Sequence, residues 1–382
     1  MTRLKTKWVQ TRKSHPCPAC GKHGWCSISE DGTLAMCRQG AESAHPIKEK
    51  DGNTAYLHSV EGLGEPVKSV KGVKPSAPKL TAAELKGLAK QHRTALSPRK
   101  LAAAAKSLGL DESALIQYGA GYDIQRAAIS FPMYDGDQKI VGFRLRADNG
   151  RKLCVPGSAN GLFMPNGFDI TEPSDPFPEA DRFSPMLLLT PEGPTDCAAA
   201  WQAGFTAIGR PSCTGGGNLI ARLLERCKAA GAPRDVVVVA DADETHWHDR
   251  ENVPYWPGWE GALDLAATVL RAAASVRVIK PPPGAKDLRA LVKMIDPAGP
   301  ANGLGCAIVC AIEAAPMVDA GWVAFNRQLL VEVKSICRAM LIGKGKDAAA
   351  RTDAESFARD LARKRKAESW LRDRNKDQRR TA

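Results

Sequence analysis

The sequence predicts an α/β protein: a parallel sheet flanked by helices, preceded by a small metal-held domain and by a mixed subdomain of helices and a β-hairpin. Three observations lead there. Short apolar runs, MLLLTPEG, TAIGR, VVVVADAD and VRVIK, are separated by helical stretches such as DCAAAWQAG, NLIARLLERCKAAG and GALDLAATVLRAAA, the alternation that βαβ connections produce. Upstream, AAISFPMYDGDQKIVGFRLRAD alternates like two strands about an Asp135-Gly136 turn. Four of the eleven cysteines, Cys17, Cys20, Cys26 and Cys37, crowd into an N-terminal stretch with little hydrophobic periodicity, as expected where a metal does the work of a core.

In chain order, residues 1–60 form this zinc-ribbon-like domain. Cys17-Pro18-Ala19-Cys20-Gly21 is a knuckle in which two thiolates grip one ion and the glycine permits the tight turn. Cys26 and Cys37 complete a tetrahedral Cys₄ zinc site, with His23 or His45 as the alternative for one of that second pair. Arg3, Lys5, Lys7, Arg12 and Lys13, interleaved with Trp8 and Trp25, are either a surface for single-stranded nucleic acid or a basic arm with two structural tryptophans. Residues 61–80, rich in Gly, Pro, Ser and Lys, read as a flexible linker.

From Thr81 the pattern is helical, with capping-box spacing from Thr81 to Glu84 and a break at Gly109 between two short helices. Residues 81–184 hold these helices and the hairpin, 185–295 the parallel sheet, and 296–382 an Ala-rich, basic helical region. The last thirty residues mix many basic with fewer acidic side chains: either a solvated helix or a docking segment.

A formal charge of +12 and a pI of about 9.2 favour a polyanionic partner, because each cation meeting a phosphate releases counterions. No apolar run reaches the roughly 18 residues needed to span a bilayer, and the first residues lack the apolar core of a secretory signal. No membrane association and a cytoplasmic location are therefore expected. Cysteines without an export signal point to metal binding rather than to a disulfide framework. GKGK near residue 344 lacks the spacing of a phosphate-binding Walker loop, so a helicase would be a separate partner.

Acidic residues that follow apolar strands sit where α/β sheets collect their chemistry. Glu192 closes the first strand, and Asp241 and Asp243 close VVVVADAD. Residues two apart in an extended strand share a face, so both aspartates can address one divalent cation, Mg²⁺ or Mn²⁺. A lone DxD more often caps a helix, but the accompanying Glu192 favours a metal centre. Arg144 and Arg146 likewise share one face of the hairpin, which suits either a phosphate-binding groove or an exposed polar face. Gly215-Gly216-Gly217 offers backbone N–H groups to a phosphate only as a weak signal.

A strand ending in EGPTD, a second ending in DAD, and PPPGAKDL with Asp287 resemble the TOPRIM signature of primases, topoisomerases and some nucleases over residues 185–292. The segment LGLDESALIQYGAGYD with its following hairpin resembles the N-terminal part of the catalytic core of bacterial DnaG-type primases. That resemblance implies synthesis of short RNA primers on single-stranded DNA from ribonucleoside triphosphates by two-metal nucleotidyl transfer. Glu192, Asp241, Asp243 and Asp287 would be the acidic metal-binding set, Arg144, Arg146 and Lys152 the phosphate-binding cations, and the zinc domain the contact to template. The segment THWHDRENVPYWPGWE departs from the family as an insertion, more simply a loop packed by its own aromatics than a further site. The compact, divergent build suggests a mobile element's primase. A TOPRIM-class nuclease and a non-catalytic single-strand-binding accessory protein are the alternatives; a topoisomerase would need a nucleophilic tyrosine and strand-passage domains that five tyrosines in a chain of this length do not suggest.

Overall fold

The computed structural model describes residues 8–38, 46–48, 54–60, 79–171, 187–248, 251–295, 303–344 and 346–381. They belong to two compact units, Met1–Ala77 and Pro78–Ala382. Most of the expected linker, 61–78, and also His45, Arg3, Lys5 and Lys7 lie outside the described residues.

The first unit is an antiparallel sheet of β1 (Trp8–Gln10), β2 (Ser27–Ser29), β3 (Leu34–Cys37), β4 (Pro46–Lys48) and β5 (Thr54–Ser59), in the order β1-β2-β3-β5-β4. Its buried cluster is Cys17, Ala19, Cys20, Cys26 and Cys37, so its interior is mostly sulfur rather than hydrocarbon.

The second unit opens with α1 (Ala82–Ala95), α2 (Pro98–Leu108) and α3 (Glu112–Gln117). Thr81 and Glu84 form the expected capping box on α1, and Gly109, with φ 69°, ends α2. A four-stranded antiparallel sheet follows: β6 (Gly121–Asp123), β7 (Ala128–Tyr134), β8 (Ile140–Ala147) and β9 (Lys152–Cys154). The β7–β8 connection is longer than the tight Asp135-Gly136 turn expected. Asp135 Oδ1 accepts from the N–H of Asp137 and Lys139, and Gln138 rather than Gly136 takes positive φ, at 64°. Gly136 instead lets Arg222 approach, where a Cβ would come within 3.0 Å of the arginine stem.

The parallel sheet has β11 (Asp235–Val239) between β10 (Leu187–Thr190) and β14 (Ser275–Ile279). Alternation along these strands supplies two cores. Leu189, Val237, Val239 and Ile279 pack with α4 (Pro194–Gln202), α7 (Leu288–Met294) and α8 (Gly303–Ala314), and the same cluster takes in Phe131 and Met133 of the hairpin sheet. Leu188, Val236, Val238, Val276 and Val278 face α5 (Gly217–Ala229) and α6 (Pro257–Val269).

The TAIGR run does not form a full strand. It makes single bridges, Ala207 to Leu189 and Arg210 to Glu192 in parallel, and Gly209 to Phe163 antiparallel, while Leu162 bridges Tyr134. This seam joins the hairpin sheet to the edge of the parallel sheet and decides which hairpin face looks at which strand ends.

The insertion is a small hairpin, β12 (His246–Trp247) and β13 (Pro254–Tyr255), with His248 stacked on Tyr255 at 4.2 Å between ring centres. It also packs on the C-terminal pair α9 (Ala320–Met340) and α10 (Ala348–Thr381). Trp247 and Trp256 join Leu329, Val333, Cys337, Leu341, Ala354 and Ala358 in one cluster, and Arg351 Nε bonds Asn252 Oδ1 at 2.9 Å. Up to residue 365, α10 therefore packs one face, through Ala354 and Ala358, while its other side is exposed.

Leu189, on the edge strand β10 opposite Val237 of the central strand, is fully buried. Leu189→Ala is expected to cost about 2–5 kcal/mol, read as a lower urea midpoint with unchanged far-ultraviolet dichroism before the transition.

Candidate functional site

The four cysteine sulfurs lie within 4.8 Å of one another, all buried, and theirs is the one such gathering of three or more His, Cys, Asp or Glu ligand atoms among the described residues. The Cys20–Cys26 and Cys26–Cys37 sulfur separations are 3.8 and 3.9 Å, the edge of a tetrahedron with Zn–S near 2.3 Å. The knuckle turns through Gly21 N–H to Cys17 O, 2.7 Å, and Arg38 N–H points at Cys26 Sγ, 3.4 Å. Burial pushes the Cys20 thiol up to about 11, and the neighbouring thiols raise Cys26 further still, a donor set that a dication would turn into thiolates. His23 is exposed and outside the cluster, so the open choice of ligand resolves to Cys26. Trp25 is 72% exposed beside it.

At the β10 end, Gly193 takes φ 79° and turns the chain from Glu192 straight into α4. Gly193 N–H bonds Arg210 O, 2.8 Å, and Arg210 N–H bonds Pro191 O, 3.0 Å, which pins the Glu192 turn. Asp241 and Asp243 follow β11. Gly258 of α6 approaches so closely that a Cβ would strike the Asp241 carbonyl, and its N–H donates to Asp243 Oδ2 at 3.0 Å. Lys286 Nζ lies 3.0 Å from Asp243 Oδ1, and Lys286 O accepts from Ala242 N–H at 2.7 Å. Asp287 caps α7 through Ala290 N–H, 2.6 Å.

Three charged groups absent from the sequence reading belong here. Asp196, one helical turn from Glu192, is buried and accepts from Arg289 N–H at 3.0 Å; burial, then Asp287 and Asp241, hold its carboxyl well above the usual range. Arg210 is 1% exposed, with Nη1 on the Cys213 and Gly261 carbonyls at 2.7 and 3.3 Å and Nη2 on Val239 O at 3.5 Å. Lys286 is the third. An acid in a first helical turn or a cation after an apolar run is too common to single out from sequence, although the Glu192/Asp196 spacing of four was visible.

Arg144, Arg146 and Lys152 line one cleft of about 220 Å³ with Glu192, Gly193 and Asp196. Arg146 and Lys152 sit opposite one another across β8 and β9, a like-charge pair that favours an anion between them. Burial and nearby Arg289 lower the Arg146 value, while Asp196 and Asp287 oppose that change. Arg144 is partly engaged, donating to Pro211 O at 3.0 Å. Gly215–Gly217 lies at the start of α5 and lines a second cavity of about 410 Å³ with Arg210, Cys213 and Asp264.

Glu192 and Asp241 make no side-chain hydrogen bond or ion pair among the described residues. Burial and then the charges of Glu192, Asp243 and Asp287 raise Asp241 to about 7. Hard oxygens without hydrogen-bond partners that repel one another suit a divalent cation, but the carboxylates are not gathered into a cage: Glu192 and Asp196 line the cleft with the hairpin cations, while Asp241 and Asp243 follow β11 outside its lining.

Two outcomes follow. One zinc per chain is expected in metal-release titrations, lost in Cys26→Ser and Cys37→Ser and kept in His23→Ala. Because the Asp241 value is raised on folding, the folded chain holds the extra proton between about pH 4 and 7, and its stability falls as pH rises through that window. Without added Mg²⁺ or Mn²⁺, Asp241→Asn should flatten this slope and gain on the order of 2 kcal/mol at pH 8, measured by thermal melts; residual slope belongs to Asp196.

No protein-family model and no curated protein matches the chain. Solved structures similar to it include a DnaG catalytic core, at 17% identity and TM-score 0.44, covering 74% of this chain and 97% of that one. A DNA primase domain from Pseudomonas aeruginosa has 17% identity and TM-score 0.45, covering 73% and 95%. The Aquifex aeolicus primase zinc-binding and RNA polymerase domains have 13% identity and TM-score 0.44, covering 73% of each chain.

Proposed function

We propose that the chain is a DNA primase of the DnaG type, joining ribonucleoside triphosphates into short RNA primers on single-stranded DNA. The observation that carries this reading is one cleft in which Arg144, Arg146 and Lys152 of the hairpin sheet face Glu192 at the end of β10 and Asp196 in the first turn of α4. A metal-dependent nuclease needs the acids but has no evident use for Arg146 and Lys152 held beside them; a polymerase must also hold a triphosphate.

In this reading Arg146 and Lys152 bind the nucleotide's phosphates, Arg by a planar fork and Lys as a point charge. Arg144 braces the Pro211 loop and adds positive potential. Glu192, Asp241 and Asp243, with Asp287 in support, would hold Mg²⁺ or Mn²⁺. Bound cations would neutralise charge on the attacking 3′-oxygen and the departing pyrophosphate. Glu192, which lines the cleft and lacks a hydrogen-bonding partner among the described residues, would accept the proton of the 3′-hydroxyl. The unit of the four-cysteine cluster, with exposed Trp25, would meet single-stranded template by stacking. Unwinding is left to a separate helicase. No helix among the described residues is long and apolar enough to cross a membrane.

Purified protein with single-stranded DNA, labelled ribonucleotides and Mn²⁺ or Mg²⁺ should yield short RNA. Asp241→Asn should abolish it, and Arg146→Ala should lower kcat/KM on the order of 100-fold, with partial recovery in Arg146→Lys. DNA degradation in place of RNA synthesis would replace this reading with the nuclease, and binding without either reaction with the accessory protein.

A further inference from the structure

Both carboxylate oxygens of Asp243 are engaged. Its Oδ2 takes the Gly258 N–H and its Oδ1 the Lys286 ammonium, both at 3.0 Å. The two contacts differ in kind. Gly258 belongs to a helix whose approach to Asp241 leaves no room for a Cβ, so that bond is built into the packing. Lys286 is 62% exposed, against 15% for Asp243, and its stem can swing away without disturbing a core. Its backbone, however, is anchored by the Ala242 N–H bond, so the ammonium stays within reach of the site wherever it swings.

We propose that Lys286 is a resident counter-ion of the acidic centre: a divalent cation must displace it from Asp243 Oδ1, and the freed ammonium then pairs with the phosphates of a bound nucleoside triphosphate. Ammonium and dication compete for one oxygen, so the lysine weakens metal binding in the empty site and prevents Asp243 from adding an uncompensated charge there. Once the metal is seated, the same cation lies next to the ligand with the most negative charge. The first half stands on the ion pair alone; the second rests on the primase reading.

Manganese binding, followed by the electron paramagnetic resonance of free Mn²⁺ without nucleotide or DNA, tests the first half. Lys286→Met should bind Mn²⁺ roughly two- to fivefold more tightly, the range for a part-exposed ion pair; Lys286→Arg should stay near wild type and Asp243→Asn should bind more weakly. Equal or weaker binding by Lys286→Met would overturn the proposal, since a lysine that merely braced its loop would not oppose the metal. Calorimetric titration of ATP into Mn²⁺-saturated protein tests the second half: Lys286→Met should lose roughly two- to fivefold in affinity, and unchanged affinity would remove the phosphate role. Neither arm requires RNA synthesis, so failure of the primase reading is seen separately, in the priming assay.

Discussion

Under the acidic centre lies a guanidinium almost wholly removed from water. Arg210 holds carbonyls from the loop at Cys213, from α6 at Gly261 and from the β11 end at Val239, while its own backbone pins the Glu192 turn. Burying such a charge is costly unless hydrogen bonds and opposite charges offset it; carbonyls take Nη1 and Nη2, Nε is left without a hydrogen bond among the described residues, and the nearby carboxylates supply the opposite charge. Glu192 and Asp241 oppose the effect of its burial, and it in turn tempers the repulsion between them. The centre is thus held from beneath by one cation whose removal would release a loop, a helix and a strand end together.

The seam through Leu162, Phe163, Ala207 and Arg210 works on a larger scale. Neither the hairpin sheet nor the parallel sheet is itself a site. Stitching their edges together turns Arg144, Arg146 and Lys152 toward Glu192 at the end of β10 and Asp196 in the first turn of α4. Phe131 and Met133 share a core with Leu189 and Val237, so this alignment is secured by buried area as well as by backbone bridges.

The segment between Asp243 and α6 links chemistry to the C-terminal helices. Trp256 Nε1 donates to Thr245 at 3.0 Å, Thr245 bonds Glu355 of α10, and Glu260 of α6 pairs with Lys334 of α9 at 2.7 Å. The hairpin therefore seats the last two helices against the element that contributes Gly258, and its aromatic residues are accounted for by packing.

Periodicity, caps and turn residues act locally, which is why the helices around Thr81 and Gly109, the strands at Leu187, Asp235 and Ser275, and the zinc knuckle were legible from the sequence alone. The sequence also marks Glu192, Asp241 and Asp243 as acids that follow apolar runs, but β11 ends at Val239, so strand alternation does not fix the side to which the two aspartates point. What needed tertiary structure depends on contacts far apart in the chain: the burial of Asp196 and Arg210, the choice of Cys26 over His23, the Lys286–Asp243 pair, the bridging form of TAIGR and the packing of Ala354 and Ala358 of α10 against α9. A residue's neighbours along the chain restrict its backbone, but its charge state and its partners are set by groups that only the closed fold brings within a few ångströms.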